Sequence, residues 1–296
     1  MIRNFLFHRV HPQRDPLWDP MDLALFDKCI QYIAKKYEVV LFEDLAKDKS
    51  ALSKKNKFAT IMFDDGYKDN FEYALPILEK YKVKASFYVV TDCIDKNVPT
   101  WTHVLEHSFQ ATQIKNLELP FDILPKELQS KSFLNDEDKL KFAAQLKPFL
   151  KTIPHQKREE ILLSIEKQFN DVEPPKLMMN WEEVRALKER GHYIGSHSVT
   201  HSMLGTMEHE GDIEKELQES GNRIKEELGY FPTTISYPIG SFDERIKKLS
   251  KKVGYSIGLA VKQDTFNPNT EDLLKSLELN YIMKPGGKQN LEFQTN

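Results

Sequence analysis

Apolar residues along this chain follow two patterns that alternate: short continuous runs and stretches with helical spacing. Runs rich in β-branched and aromatic residues cover 4–10, 38–42, 57–63, 85–90, 192–196, 234–237, 256–261 and 277–283. Most are apolar on both faces, as parallel strands buried under helices must be. Between the first two, Phe26, Cys29, Ile30, Ile33 and Tyr37 fall at i, i+3, i+4, i+7 and i+11, which is one face of a helix. Further helices are predicted at 73–81, 181–190, 211–228 and 243–253, with Gly191, Gly229 and Gly254 placed just past three of them as C-terminal caps. Strand and helix in alternation predict an α/β fold, either a barrel or a doubly wound sheet.

One stretch breaks the rhythm. From Val98 to Pro175 no clear strand is visible, helices are predicted at 136–150 and 155–169, and Pro120, Pro125, Pro148, Pro154, Pro174 and Pro175 punctuate the rest. The expectation is a helical insertion, at about 98–175, in one loop of a single domain spanning 1–296. Loops of this length commonly act as lids or binding elements.

Composition narrows the class. With 40% hydrophobic and 29% charged residues among 296, the chain can bury a core and is not a disordered sequence. A formal net charge of −3 lacks the basic footprint of a nucleic-acid binder, so no nucleic-acid partner is expected. No apolar run approaches the ~18 residues of a membrane span. The N-terminal apolar stretch is too short for a signal peptide and is interrupted by Arg9, which points to a cytoplasmic location. Two cysteines are too few for a disulfide framework, and Cys29, on the helix stripe, reads as a reduced core thiol. The lysines at 47, 49, 54, 55 and 57 read as a solvated loop. Oligomeric state is not legible.

Two local patterns carry chemistry. In Thr60-Ile61-Met62-Phe63-Asp64-Asp65-Gly66 an apolar strand ends abruptly in paired carboxylates. Active-site groups of parallel α/β proteins gather at such carboxyl ends. Adjacent carboxylates raise each other's pKa unless a cation or strong donors intervene, so a metal on one would leave the other as a base. The plain alternative is a turn with a helix cap. In Gly195-Ser196-His197-Ser198-Val199-Thr200-His201 two histidines follow another strand at a four-residue spacing, which would bring both imidazoles to one face of a helical turn for metal ligation. A metalloprotease is excluded, since Ser198 stands where His-Glu-x-x-His needs glutamate. Non-haem iron oxygenation is disfavoured, because the chain has no His-x-Asp or His-x-Glu triplet.

Taken together, Phe63-Asp64-Asp65-Gly66, His197-Ser198-x-x-His201 and Ser236-Tyr237-Pro238-Ile239-Gly240 resemble the polysaccharide deacetylase (NodB-homology) family of metal-dependent carbohydrate N-deacetylases. Asn180-Trp181-Glu182-Glu183-Val184, leading to Gly191–His197, strengthens the resemblance, which covers 57–96 and 178–262. It implies an irregular (β/α) barrel of seven or eight strands. It also implies that Asp65, His197 and His201 hold a divalent ion, with zinc preferred and nickel, cobalt, manganese or iron able to fill the same ligands. Asp64 would be the general base, and a backbone N–H near Tyr237 would help stabilise the oxyanion. The implied substrate is an N-acetylated sugar or glycan, in polysaccharide or cell-envelope carbohydrate metabolism. The alternatives are an O-acetyl esterase with the same site or an inactive carbohydrate-binding member.

The order of motifs departs from the family's usual one. The family's Leu-x-His acid lies near the C-terminus, but here no histidine follows His209, whereas Leu6-Phe7-His8 ends the first strand. Motif order is therefore closest to circularly permuted poly-N-acetylglucosamine deacetylases, and His8 takes the place of the acid. The family's base-orienting arginine is absent, since residues 231–238 read Phe-Pro-Thr-Thr-Ile-Ser-Tyr-Pro, and no Asp-x-x-Asp-Trp is visible. Trp101 either lines the sugar site or packs. His11 is close by but has no equivalent motif support, and His103, His107, His155, His192 and His209 lack motif partners and read as surface or packing residues.

Overall fold

The computed structural model describes residues 2–47, 57–260 and 282–283. Most of the lysine-rich loop, Val261 and residues 277–281 lie outside the described residues. Strand β1 (Ile2–Phe7) leads to helix α1 (Leu23–Lys36), β2 (Glu38–Val39), α2 (Phe42–Lys47) and β3 (Phe58–Phe63). A π-helical turn (Asn70–Ala74), α3 (Leu75–Lys80), β4 (Ser86–Val89) and α4 (Thr91–Lys96) follow. Next come α5 (Trp101–Ala111), β5 (Asn116–Glu118), α6 (Lys126–Gln129), β6 (Ser130–Ser132), α7 (Asp136–Leu150) and α8 (His155–Gln168). The chain then resumes strand–helix alternation with α9 (Trp181–Glu189), β7 (Tyr193–Ser196), α10 (Glu210–Leu228), β8 (Thr234–Ser236), α11 (Glu244–Val253), β9 (Ile257–Leu259) and β10 (Ile282–Met283).

The main sheet runs β10-β1-β3-β4-β7-β8-β9, with β2 also paired to β3. Among the described residues, the pairings within this sheet are parallel except that of β10, which joins β1 antiparallel. The sheet curls, with helices outside it, into an irregular (β/α) barrel. Its two faces explain the runs of apolar residues. Leu6, Met62, Tyr88, Ile257 and Leu259 cluster together inside the curl. Their neighbours Phe5, Phe7, Ala59, Ile61, Phe63, Phe87 and Val89 pack outward with Phe26, Ile30 and Ile33 of α1. All six residues of β3 are buried.

Local signals set the element ends. The Asp22 carboxylate accepts the Ala24 and Leu25 amides at 2.9 and 3.1 Å, capping α1. Asn180 and Glu183 form a reciprocal capping box on α9. The three predicted glycine caps are all in the left-handed region. Two strands were hidden from pattern reading. β5 and β6 form a small antiparallel pair within 98–175, too short and too exposed to show periodicity. That segment has its own apolar cluster, in which Phe109, Phe133, Phe142 and Phe169 meet.

Candidate active site

Parallel strands deliver their carboxyl ends to one mouth. Register places Phe7 beside Phe63, and the Asp64 amide donates to the Phe7 carbonyl at 3.1 Å, so His8 and Asp64 leave neighbouring strands together. β4 pairs with β7 up to Val89↔Ser196, which brings His197 to the same rim, and β8 adds Ser236 and Tyr237 beside it. Asp64, Asp65, His197 and His201 are all at least nine-tenths buried.

The chain bends sharply to present these groups. Asp65 (φ +75°), Ser198 (φ +65°) and His201 (φ +62°) adopt the left-handed region, which is unfavourable for residues other than glycine and clusters at functional sites. Gly66 follows at φ +90°, where a Cβ would lie 2.9 Å from Ile94 Cδ1. The histidine spacing works differently from the expected helical turn. Residues 197–201 form an irregular bend, not a helix, and this bend brings the two imidazoles to 5.0 Å between centroids. Glu216 of α10 holds that bend, accepting the Val199 and Thr200 amides at 2.9 and 3.0 Å and the Thr200 hydroxyl at 2.7 Å.

Asp65 Oδ1 lies 3.4 Å from His197 Nε2 and 3.3 Å from His201 Nε2. One ligand atom from each of these three residues falls within 4.8 Å of the others. His197 donates its Nδ1–H to the Ser236 carbonyl at 2.7 Å, which leaves Nε2 with its lone pair toward the centre. Asp65 Oδ1 and Asp64 Oδ1 are buried without a hydrogen bond. Buried carboxylate oxygens left unpaired are expensive unless a ligand completes them. Two imidazoles and a carboxylate with open positions suit a borderline divalent ion, so the residues present fit one.

The electrostatics separate the paired carboxylates. Burial raises Asp64, only partly offset by His197 and His8. Burial also acts on Asp65, but contact with His197 and the charges of His201 and His8 outweigh it and hold Asp65 well below the usual range. Burial lowers His201 to about 3.

His8 is half-buried, its ring edge-on to Trp18 at 5.7 Å, and its carbonyl accepts the Asn70 side-chain amide at 2.7 Å. Behind it, Arg9 Nε pairs with Asp69 Oδ2 at 2.9 Å in a buried bridge. Tyr67 meets His103 Nδ1 at 2.9 Å, and Trp18 packs against both rings. This backing of Trp18, Tyr67, Asp69 and Asn70 was not singled out from sequence, although Asp69 and Asn70 follow the Asp-Asp-Gly turn closely enough to have been suspected. His103, in α5, is a packing residue as expected. His192 accepts the Ala85 amide at 3.1 Å, and His155 contacts Arg158 at 2.9 Å.

Tyr237 needs a correction. Its amide donates to the Leu259 carbonyl at 2.8 Å, continuing the β8–β9 ladder, and its hydroxyl donates to Ser250 Oγ at 3.0 Å. It is therefore not a free donor for an oxyanion. Trp101 packs under the Arg158 guanidinium, 5.3 Å from its ring centroid, and borders a cleft of about 870 Å³ between α4, α5 and α8. Arg158, fully buried, donates to Thr206 Oγ1 at 3.3 Å, which docks α8 on the segment just after His201. Burial lowers Lys151 at the end of α7, with the negative charges of Glu106 and Asp65 opposing it. Cys29 is a buried thiol, pushed up to about 12 by burial.

A family model described as polysaccharide deacetylase matches residues 51–258. The peptidoglycan-N-acetylglucosamine deacetylase PgdA of Listeria monocytogenes is 32% identical over 84 residues, which is 28% of this chain and only 16% of that protein's length. Among solved structures, the Streptococcus pyogenes deacetylase PplD in complex with acetate superposes with a TM-score of 0.57 at 15% identity, covering 88% of this chain and 84% of that one. IcaB from Ammonifex degensii gives 0.55 at 13% identity, covering 94% and 95%. No helix among the described residues is long and apolar enough to cross a membrane.

Proposed function

The chain belongs to the polysaccharide deacetylase family, and from that premise we propose that it hydrolyses the N-acetyl group of an amino sugar within an acetylated glycan or its precursor. The observation that carries the reading is the meeting of Asp64, Asp65, His197 and His201 at one mouth, with carboxylate oxygens buried and unpaired. A binding module has no use for that set.

Asp65, His197 and His201 would hold the ion, preferably zinc. When bound it supplies a Lewis acid for the acetamide carbonyl and lowers the pKa of a coordinated water. Asp64 presents Oδ1 to take a proton from the attacking water as its oxygen bonds to the carbonyl carbon. His8, just past the end of the adjoining strand, gives a proton to the departing nitrogen as the C–N bond breaks, leaving acetate and a free amine. A first strand fills this place because a curled sheet sets neighbours by pairing rather than by chain order, and that supports a permuted arrangement. Residues 98–175 serve as a substrate-facing insertion, for which the docking of Arg158 on the segment after His201 speaks.

The test is acetate release from nucleotide-linked, lipid-linked and oligomeric N-acetyl sugars, with O-acetylated sugars alongside. Release from an N-acetyl substrate, abolished by a chelator and restored by zinc, is expected. Asp64→Asn and His8→Gln should each lower kcat by about 10²- to 10⁴-fold. Release from O-acetyl sugars alone would establish the esterase, and wild-type rates in Asp64→Asn would remove the base.

A further inference from the structure

Among the described residues no arginine pairs with Asp64, yet one of its oxygens is held. The Ser236 hydroxyl donates to Asp64 Oδ2 at 3.1 Å, while the Ser236 carbonyl accepts His197 Nδ1–H at 2.7 Å. We propose that Ser236 is the positioning residue for Asp64, joining the base to a metal ligand through one buried residue; this rests on the reading of Asp64 as base.

The geometry favours this role for three reasons. Ser236 is 3% exposed, so water does not compete for its hydroxyl. It is the last residue of β8 and is paired in register with Leu259, so the sheet fixes its main chain and only the hydroxyl rotor remains free. The bond engages Oδ2 and leaves Oδ1 unpaired, which decides which oxygen faces the reacting water. A guanidinium would add charge and a second bond. A hydroxyl orients the carboxylate without neutralising it.

Hydroxyl and carbonyl can be tested apart, because only the hydroxyl is lost in Ser236→Ala. That variant should bind zinc with wild-type affinity by calorimetric titration, since His197 keeps its backbone acceptor. Its kcat should fall about ten- to a hundredfold, the scale for a misplaced catalytic group, with KM little changed. Ser236→Thr keeps a hydroxyl and should recover most of kcat. Crystal structures of wild type and Ser236→Ala provide a readout independent of turnover: the Asp64 carboxylate should rotate in the variant while His197 stays in place. An unchanged kcat, an unmoved Asp64, or a loss of zinc affinity matching the loss of rate would each overturn the proposal. If wild type released no acetate from any N-acetyl sugar, the functional reading would fail, while the orientation of Asp64 in the two structures would still decide the role of Ser236.

Discussion

The barrel buries carboxylates at both ends and treats them in opposite ways. At the floor, Glu43 of α2 is 1% exposed, and each oxygen accepts a hydroxyl at 2.7 Å, one from Ser86 and one from Tyr88 of β4. At the mouth, Asp64 and Asp65 are as deeply buried, yet each keeps an oxygen with no hydrogen bond. Burial raises Glu43 and Asp64 alike, whereas the neighbouring histidines pull Asp65 down. A buried polar group whose partners are complete specifies structure; one left incomplete is poised for something that arrives later. The floor network also bears on the mouth. The Tyr88 ring occupies the space a Cβ on Gly195 would need, only 2.4 Å away, so β7 sits against it two residues before His197.

The largest expected effect breaks the mouth. Asp65→Ala should abolish acetate release and weaken zinc binding by more than about a hundredfold, beyond the range of outer-sphere partners. An Asp65→Ala variant that kept wild-type zinc affinity would erase the contrast with the floor. Glu43→Ala should do the reverse, destabilising the fold by about 2–4 kcal/mol because two buried hydroxyls lose their acceptor. Its kcat, measured below the unfolding range, should stay within about threefold, on the reasoning that sites far from the reacting groups act through stability. Glu43→Gln should be milder on both counts.

The smallest effect concerns His192, at the floor beside the Ala85 amide. Burial, with Lys84 and Arg190 nearby, lowers it to about 4 from an ordinary 6.5. Between those values the unfolded chain binds the extra proton, so this contribution to stability is complete above pH 6.5 and lost as pH falls toward 4. The slope is at most about 1.4 kcal/mol per pH unit. His192→Gln should flatten the dependence of urea midpoint on pH in that window; an unchanged slope would place the acid sensitivity at the mouth.

Strand-and-helix alternation made the barrel legible, and abrupt strand ends made Asp64, Asp65, His197 and His201 legible. What escaped was set by contacts distant in sequence. The bend at 197–201 depends on Glu216 and on left-handed backbone that no periodicity reports. The Tyr237 amide was lost to β9, a strand only three residues long, as Phe-Pro-Thr-Thr-Ile-Ser-Tyr-Pro gives no sign of its neighbour. Ser236 escaped because a serine before Tyr-Pro carries no signal until Asp64 is placed opposite it.

Parallel pairing has a further consequence, in time rather than in space. The β1–β3 contact closes a loop of 56 residues, as between Asn4 and Thr60, and Ala85 meets His192 only across 107. Such distant closures raise contact order and slow folding. The segment 101–168 closes shorter loops, as between Glu106 and Lys147 across 41 residues. On refolding it should gain protection from hydrogen exchange early, and the mouth should be the last part of the molecule to acquire it.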